Sequence, residues 1–215
     1  MSAPAPLNEK TLARAVRLLA RRDADLARLV ADHGPPPLWA REPGFPTLVH
    51  IILEQQVSLA SARAAFERLL AASGTPVTPR RFLSLDDATL RAAGFSRQKS
   101  AYCRQLASAV DSGRLDLDAL ARLGDEEARA ELTRVKGVGR WTADIYLLMA
   151  LGRPDVWPAG DLALAVAAQS VKRLPARPTV AELDALGESW RPFRAAAARV
   201  LWHQYLSARH QPAGG

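Results

Sequence analysis

The stretch Leu132–Leu164, LTRVKGVGRWTADIYLLMALGRPDVWPAGDLAL, decides how this chain is read. Leu132-Thr133-Arg134-Val135 closes an amphipathic helix, and Lys136-Gly137-Val138-Gly139 makes a tight turn. Arg140 opens a second helix, whose Trp141, Ile145, Leu148 and Met149 share one face by helical spacing. Glycines two apart let the backbone take left-handed angles and approach a ligand closely. The amides that open a helix have no partner inside it, so they suit an anion such as a phosphate. Lys136 and Arg140 flank the turn with positive charge. The stretch predicts a helix–hairpin–helix that grips a nucleic-acid backbone. Gly-Val-Gly between helices is also an ordinary interhelical turn, so the following residues have to decide.

The second helix is expected to end near Leu151-Gly152-Arg153-Pro154. The loop Asp155-Val156-Trp157-Pro158-Ala159-Gly160 then delivers Asp161 to the start of another apolar helix. On VKGVGRWTAD and DVWPAGD the chain resembles the helix–hairpin–helix–GPD superfamily of DNA base-excision glycosylases, and within it the 3-methyladenine DNA glycosylase II branch. ILEQQVSLASA, GFSRQKSAYCRQLA and SWRPFRAAAARVLW add to the resemblance, which runs in pieces from about Phe45 to Trp202. Longer members carry an N-terminal β-domain ahead of this core. The residues before Phe45 read as helices instead.

The whole chain sets bounds on the same conclusion. Its 215 residues can bury a full core, as one compact unit or as two small lobes. Hydrophobic residues make up 48%, rich in Ala and Leu, with few β-branched alternations and no internal repeat; this favours an all-α fold. The net charge of +7 comes mostly from arginine, since Lys10, Lys99, Lys136 and Lys172 are the only lysines. That balance suits a polyanionic partner, although solvated arginines on helix faces give the same count. Cys103 is the single cysteine, so the chain can form neither an internal disulfide nor a Cys₄ cluster. His33, His50, His203 and His210 lack metal-ligand spacing. No apolar run reaches membrane-spanning length, and Met1 to Lys10 does not read as a signal peptide. A soluble, cytoplasmic protein is expected, associated with the nucleoid if bacterial.

Taken in order, Met1 to Pro6 is expected to be a frayed leader. Asn8 caps a helix from Glu9, with Leu12, Val16 and Leu19 on one face, and Asp23 caps a second helix that Gly34 and the following prolines break. An apolar helix spans Leu48 to Leu53, and another runs from Leu59 to Leu70. Thr75 to Pro79 reads as a proline-rich turn, Asp86 or Asp87 as the start of a short helix, and Ser96 as the cap of a longer one. Asp111 to Leu123 is a connection with one helical turn. Asp125-Glu126-Glu127 opens the helix before the hairpin, where carboxylates suit the dipole. Further helices are expected over Leu162 to Gln169, from Thr179 to Gly187, and from Pro192 onward.

The resemblance implies an all-α, two-lobed glycosylase core with the active site in the cleft between lobes. Residues 1–215 form one domain, with one lobe from about 45–150 and the second from the N-terminal helices plus about 151–210. It implies Asp161 as the catalytic carboxylate, though Gly160-Asp161 before an apolar helix is also an ordinary N-cap. Trp141 and Trp202 are implied to face the base, beside Ile145 and Leu162, which stand where related enzymes carry tyrosines. Each indole also fits a core position. Gln55, Gln56, Lys99, Lys136, Gly137, Val138, Gly139, Arg140 and Thr142 are the expected DNA contacts. Gln56 takes the place of the plug that fills the gap left by the extruded base; a polar interhelical turn is the other account of Gln55-Gln56. The carbonyls of Thr133, Val135 and Val138 are implied to hold a monovalent cation, Na⁺ or K⁺, and no other cofactor is required. Lyase members carry a lysine where this chain has Trp141, so a monofunctional hydrolase of alkylated bases is expected, acting as a monomer on damaged duplex DNA. The alternatives are a non-enzymatic damage-recognition module, or a glycosylase for uracil or deaminated purines.

Overall fold

The computed structural model describes residues 5–158 and 160–210. Met1–Pro4, most of the expected leader, and Ala159 of the Pro-Ala-Gly run lie outside the described residues. No strand occurs among those described. The helices are α1 (Glu9–Arg22), α2 (Ala24–His33), α3 (Phe45–Glu54), α4 (Leu59–Ser73), α5 (Pro79–Ser84), α6 (Asp87–Ala92), α7 (Arg97–Asp111), α8 (Leu117–Leu120), α9 (Asp125–Thr133), α10 (Arg140–Met149), α11 (Leu162–Val171), α12 (Val180–Glu188) and α13 (Arg194–His210).

Most helix starts are written in the sequence as caps. Asn8, Asp23, Ser58, Thr78, Asp86, Ser96, Asp116, Asp161 and Thr179 each accept a backbone N–H of the helix they precede. Such a bond satisfies donors that the helix itself cannot. α5 is the helix that the turn reading of Thr75 to Pro79 misses. Thr78 caps it and Pro79 occupies its first turn, where a missing N–H costs nothing. The last helix begins at Arg194, two residues after the expected Pro192.

The chain divides into two compact units. Residues 41–151 build the first, which holds α3 to α10. α3 is its spine: Leu48, Val49, Ile51, Ile52 and Leu53 are buried on nearly every side. α4, α7 and α10 pack on α3, and α9 packs on α10. The described residues of the second unit are 5–40, 152–158 and 160–210, holding α1, α2 and α11 to α13. Here α13 is central, against α11, α2 and α1. Ala195, Ala196, Ala197 and Ala198 are all fully buried, and such small side chains let neighbouring helices approach closely.

Polar side chains tie the second unit across long sequence separations. Lys172 Nζ donates to both oxygens of Asp23 at 2.8 Å and to Asp25 at 3.0 Å. The Trp190 indole donates to Asp23 at 2.8 Å, and Arg199 Nε donates to the Leu38 carbonyl at 2.8 Å. Burial pushes the Arg199 guanidinium down to about 10. Asp155, at the start of the loop before Asp161, holds Arg191 at 2.8 Å and Arg194 at 3.0 Å.

Candidate active site and nucleic-acid interface

The hairpin lies in the first unit. α9 stops at Thr133, two residues before the expected Val135, and the turn runs from Arg134 to Gly139. Gly137 has φ +98°, and a Cβ there would fall on the Tyr102 ring of α7. Only glycine fits that position, for both reasons. Gly139 corrects the expectation of a left-handed pair, because its φ is −83°. What Gly139 contributes is space: nothing lies within 4 Å of where its Cβ would stand. It also precedes α10 without a side-chain cap, unlike most helix starts in the chain. The start of α10 therefore combines an open approach with the positive end of a helix dipole. Lys136, Gly139 and Arg140 are exposed around it, whereas Val138 is buried and anchors the turn.

Buried and half-buried polar groups hold this turn from behind. Gln55 Nε2 donates to the Gly137 carbonyl at 3.1 Å and to Thr142 Oγ1 at 2.9 Å. These bonds are internal to the first unit. The Thr142 hydroxyl is turned inward and buried, and the Gln55 amide ties the α3–α4 turn to the hairpin. Lys99 Nζ donates to the Leu53 carbonyl at 2.6 Å, near the C-terminus of α3, where a cation suits the dipole. Burial holds this amine below its ordinary range. Asp144, which the sequence did not single out, is fully buried on α10. Arg129 of α9 donates to it at 2.6 Å, and Arg140 Nε stands 3.6 Å from its second oxygen. Burial raises the Asp144 carboxyl above the usual range, against the pull of Arg129 and Arg140. Arg140 and Asp144 are four residues apart, the helical spacing at which opposite charges meet.

Gln56 stands beside this lock and behaves differently. It is exposed and has φ +58°, a left-handed conformation that costs a non-glycine residue about 1 kcal/mol. The exposed Val57 and Leu59 follow it. The other aromatic candidate in this unit, Trp141, is half-buried in the first turn of α10, while Ile145 one turn on is enclosed at 3% exposure. Thr133 ends α9, and the Val135 carbonyl accepts the Val138 amide at 3.0 Å. A carbonyl has two lone pairs, so this bond leaves Val135 able to serve a cation as well.

The second unit holds Asp161. Its Oδ1 accepts the Leu164 amide at 2.9 Å, which makes it the N-cap of α11. The same oxygen accepts the Trp202 indole N–H at 3.1 Å. Asp161 is only 8% exposed. Trp202, at 7% exposure, therefore clamps the carboxylate as well as filling space. Leu162 points the other way and is 60% exposed. The structure thus joins Asp161 to Trp202, and does not enclose Leu162 with them. A carboxylate fixed in a largely dry setting can stabilise a developing cation without reorganising.

A family model described as "HhH-GPD superfamily base excision DNA repair protein" matches residues 49–192. The chain belongs to the HhH-GPD superfamily. DNA-3-methyladenine glycosylase 1 of Schizosaccharomyces pombe is 34% identical over 180 residues, 82% of this chain and 79% of the relative. The solved structure of the S. pombe 3-methyladenine DNA glycosylase (Mag1) in complex with abasic DNA superposes with a TM-score of 0.86 at 32% identity, covering 93% of this chain and all of that one. The DNA-3-methyladenine glycosidase of Bacillus halodurans gives a TM-score of 0.74 at 28% identity, covering 98% and 94%. The HhH-GPD match takes in the Gln55-Gln56 turn, the hairpin and Asp161. It leaves out α1, α2 and Trp202. No helix among the described residues is long and apolar enough to cross a membrane.

Proposed function

We propose that this protein is a monofunctional DNA glycosylase of base excision repair, acting on alkylated bases of the 3-methyladenine type turned out of duplex DNA. The observation that carries this is Asp161: a nearly buried carboxylate, oriented by the Leu164 amide and the Trp202 indole, in an HhH-GPD chain whose relatives are named for 3-methyladenine. Turning a nucleotide out of the stack costs a few kcal/mol, and least where the base is already damaged. The amides at the start of α10, with Lys136 and Arg140, grip the phosphate backbone. Gln56 fills the vacated space; its exposure and left-handed backbone suit an element held out toward a partner. Trp141 offers an indole face, which attracts the positive charge of an alkylated purine.

The C1′–N bond then breaks with its electron pair leaving on the base. The sugar becomes oxocarbenium-like, and Asp161 stabilises that charge. Water adds its oxygen to C1′ and gives up a proton, for which Asp161 is the acceptor. A Na⁺ or K⁺ on the carbonyls of Thr133, Val135 and Val138 would add positive charge beside the phosphate grip. One chain supplies both grip and carboxylate, so a monomer suffices. Trp141 stands where a lyase would need an amine nucleophile.

The test is single-turnover release of free base from duplexes carrying 3-methyladenine, uracil or hypoxanthine, each in a stable pair and in a mismatch, with borohydride present in a parallel set. Release of 3-methyladenine without a trapped protein–DNA adduct is expected. Faster release of uracil or hypoxanthine than of 3-methyladenine would overturn the assigned substrate, and a borohydride adduct would overturn the monofunctional assignment.

A further inference from the structure

α1 carries charge in an arrangement that the base-excision chemistry does not use. Lys10, Arg14, Arg17 and Arg21 are all exposed. Their spacing of four, three and four keeps them within roughly a 60° arc of the helix, along about 16 Å of its axis. Leu12, Ala15, Val16 and Leu19 fill the opposite face and are buried. Among the described residues none of the four cations forms an ion pair. Other surface arginines do: Arg28 with Asp25, Arg63 with Glu67, Arg80 with Asp111, Arg134 with Glu131. The one carboxylate on α1, Glu9, lies about 80° outside the arc.

We infer that this face of α1 is a second DNA-binding surface, which lays a row of cations along the sugar–phosphate backbone of duplex DNA. Four positive charges at axial intervals of about 4.5–6 Å on a rigid rod match a line of evenly spaced phosphates, which ammonium and guanidinium groups contact whatever the base sequence. A membrane surface fits less well, because an interfacial helix inserts its apolar face and that face is already buried here. An acidic protein would take the charge without needing the regular line. The contact adds affinity and sliding on undamaged DNA, and leaves the bond-breaking step alone. α1 lies outside the span matched by the family model, so the inference does not rest on the hairpin.

The experiment compares the full chain with the quadruple variant Lys10→Gln, Arg14→Gln, Arg17→Gln, Arg21→Gln and with the two pairwise variants, Lys10/Arg14 and Arg17/Arg21. Glutamine keeps helix propensity at these exposed sites. A control variant neutralises Arg91, Arg114, Arg122 and Arg177 instead. Binding to undamaged duplex is measured across salt concentrations. Each phosphate contact contributes about 0.9 to the slope of log K against log salt, so the quadruple variant should lose about 2–4 from that slope and each pair about half as much. The control should keep the wild-type slope, and single-turnover base release at saturating enzyme and the melting temperature should match wild type throughout. An unchanged slope in the quadruple variant, or an equal loss in the control, overturns the inference; binding of an acidic protein lost in the same variant, with the DNA slope intact, would overturn it in favour of that partner. Failure of the wild type to release any base would strike the proposed function and leave the slope measurement standing.

Discussion

The hairpin and the Asp161 loop are built in opposite ways. At the hairpin the main chain that opens α10 is offered outward beside the exposed Lys136 and Arg140, and inward-facing side chains fix it: Gln55 on Gly137 and Thr142, Arg129 on Asp144, Tyr102 beneath Gly137. At Asp161 the candidate group is a nearly buried side chain, and a main-chain amide together with an indole fixes it. In the proposed function, main chain reads a feature common to all DNA, the phosphate. A single carboxylate supplies charge at one point. Mutations should therefore separate the two: the grip fails through backbone and space, the chemistry through one charge.

The sharpest break of that comparison is Asp161→Asn. The amide oxygen can still accept from Leu164 and Trp202, so the cap survives and melting should change little. Removing the charge is expected to slow single-turnover base release roughly 10²–10³-fold, with DNA binding retained. A labile cationic base loses less, since its leaving group needs less help. Wild-type rates on every substrate would refute the role of Asp161, and a collapsed melting temperature would return it to a purely structural cap.

Next in size are the two hairpin glycines, which should fail differently. Gly137→Ala forces a Cβ toward Tyr102 at φ +98°, so about 3 kcal/mol of stability should go, read as a lowered denaturant midpoint. Gly139→Asp meets open space and ordinary φ, so folding should hold. Its bulk and negative charge at the phosphate site should weaken duplex binding on every sequence. Equal melting losses in the two variants would remove the distinction between lock and grip.

The second unit has its own lock, and pH reads it. Lys172 sits above the ordinary amine range: burial opposes this, but the bonds to Asp23 and Asp25 outweigh it. Asp23 and Asp25 sit below the ordinary carboxylate range; for Asp23 burial again opposes, and Lys172, Trp190 and the Leu26 amide prevail, while for Asp25 the Lys172 bond leads. The carboxylates' share of stability is present above their ordinary value of 3.8 and is lost as pH falls through their lowered folded values. The Lys172 share is present below 10.5 and is lost as pH rises through its raised folded value. Lys172→Met should cost about 2 kcal/mol at neutral pH by leaving Asp23 without its cation and Asp25 with Arg28 alone. That difference from wild type should shrink toward both pH extremes. A pH-independent difference would mean that Lys172 matters only for packing.

Much of this fold was legible because caps and apolar periodicity are local. Asn8, Asp23, Ser96 and Thr179 announce their helices, and the hairpin glycines announce their turn. The partners of buried polar groups were not legible, because they depend on tertiary neighbours. Gln55 and Thr142 are 87 residues apart, and Asp23 and Lys172 are 149 apart. Exposed polar residues and inward-facing polar locks look alike in a sequence, so the internal bonds of Gln55, Lys99 and Thr142 could not be read there. α5 was missed for a local reason: Thr78-Pro79 is both turn chemistry and a helix start. Asp144 gave one readable signal, a charge on the apolar face of α10 at helical distance from Arg140.

The finest test asks whether Trp202 serves the base or the carboxylate. As an aromatic it can stack on an alkylated purine. As an indole it donates to Asp161 Oδ1 at 3.1 Å. Trp202→Phe keeps a ring and most of the buried volume but removes the N–H donor. If Trp202 works as a positioning residue, release should slow about tenfold, a loss of about 1.4 kcal/mol in transition-state stabilisation, with duplex affinity unchanged. A double-mutant cycle distinguishes the two roles. A residue that acts only by aiming Asp161 has little left to do once that charge is gone, so Asp161→Asn/Trp202→Phe should release base at the rate of Asp161→Asn alone. A residue that holds the base acts independently, and the two losses would multiply. Multiplying losses would assign Trp202 to base recognition and leave the orientation of Asp161 to other contacts, the Leu164 amide among them.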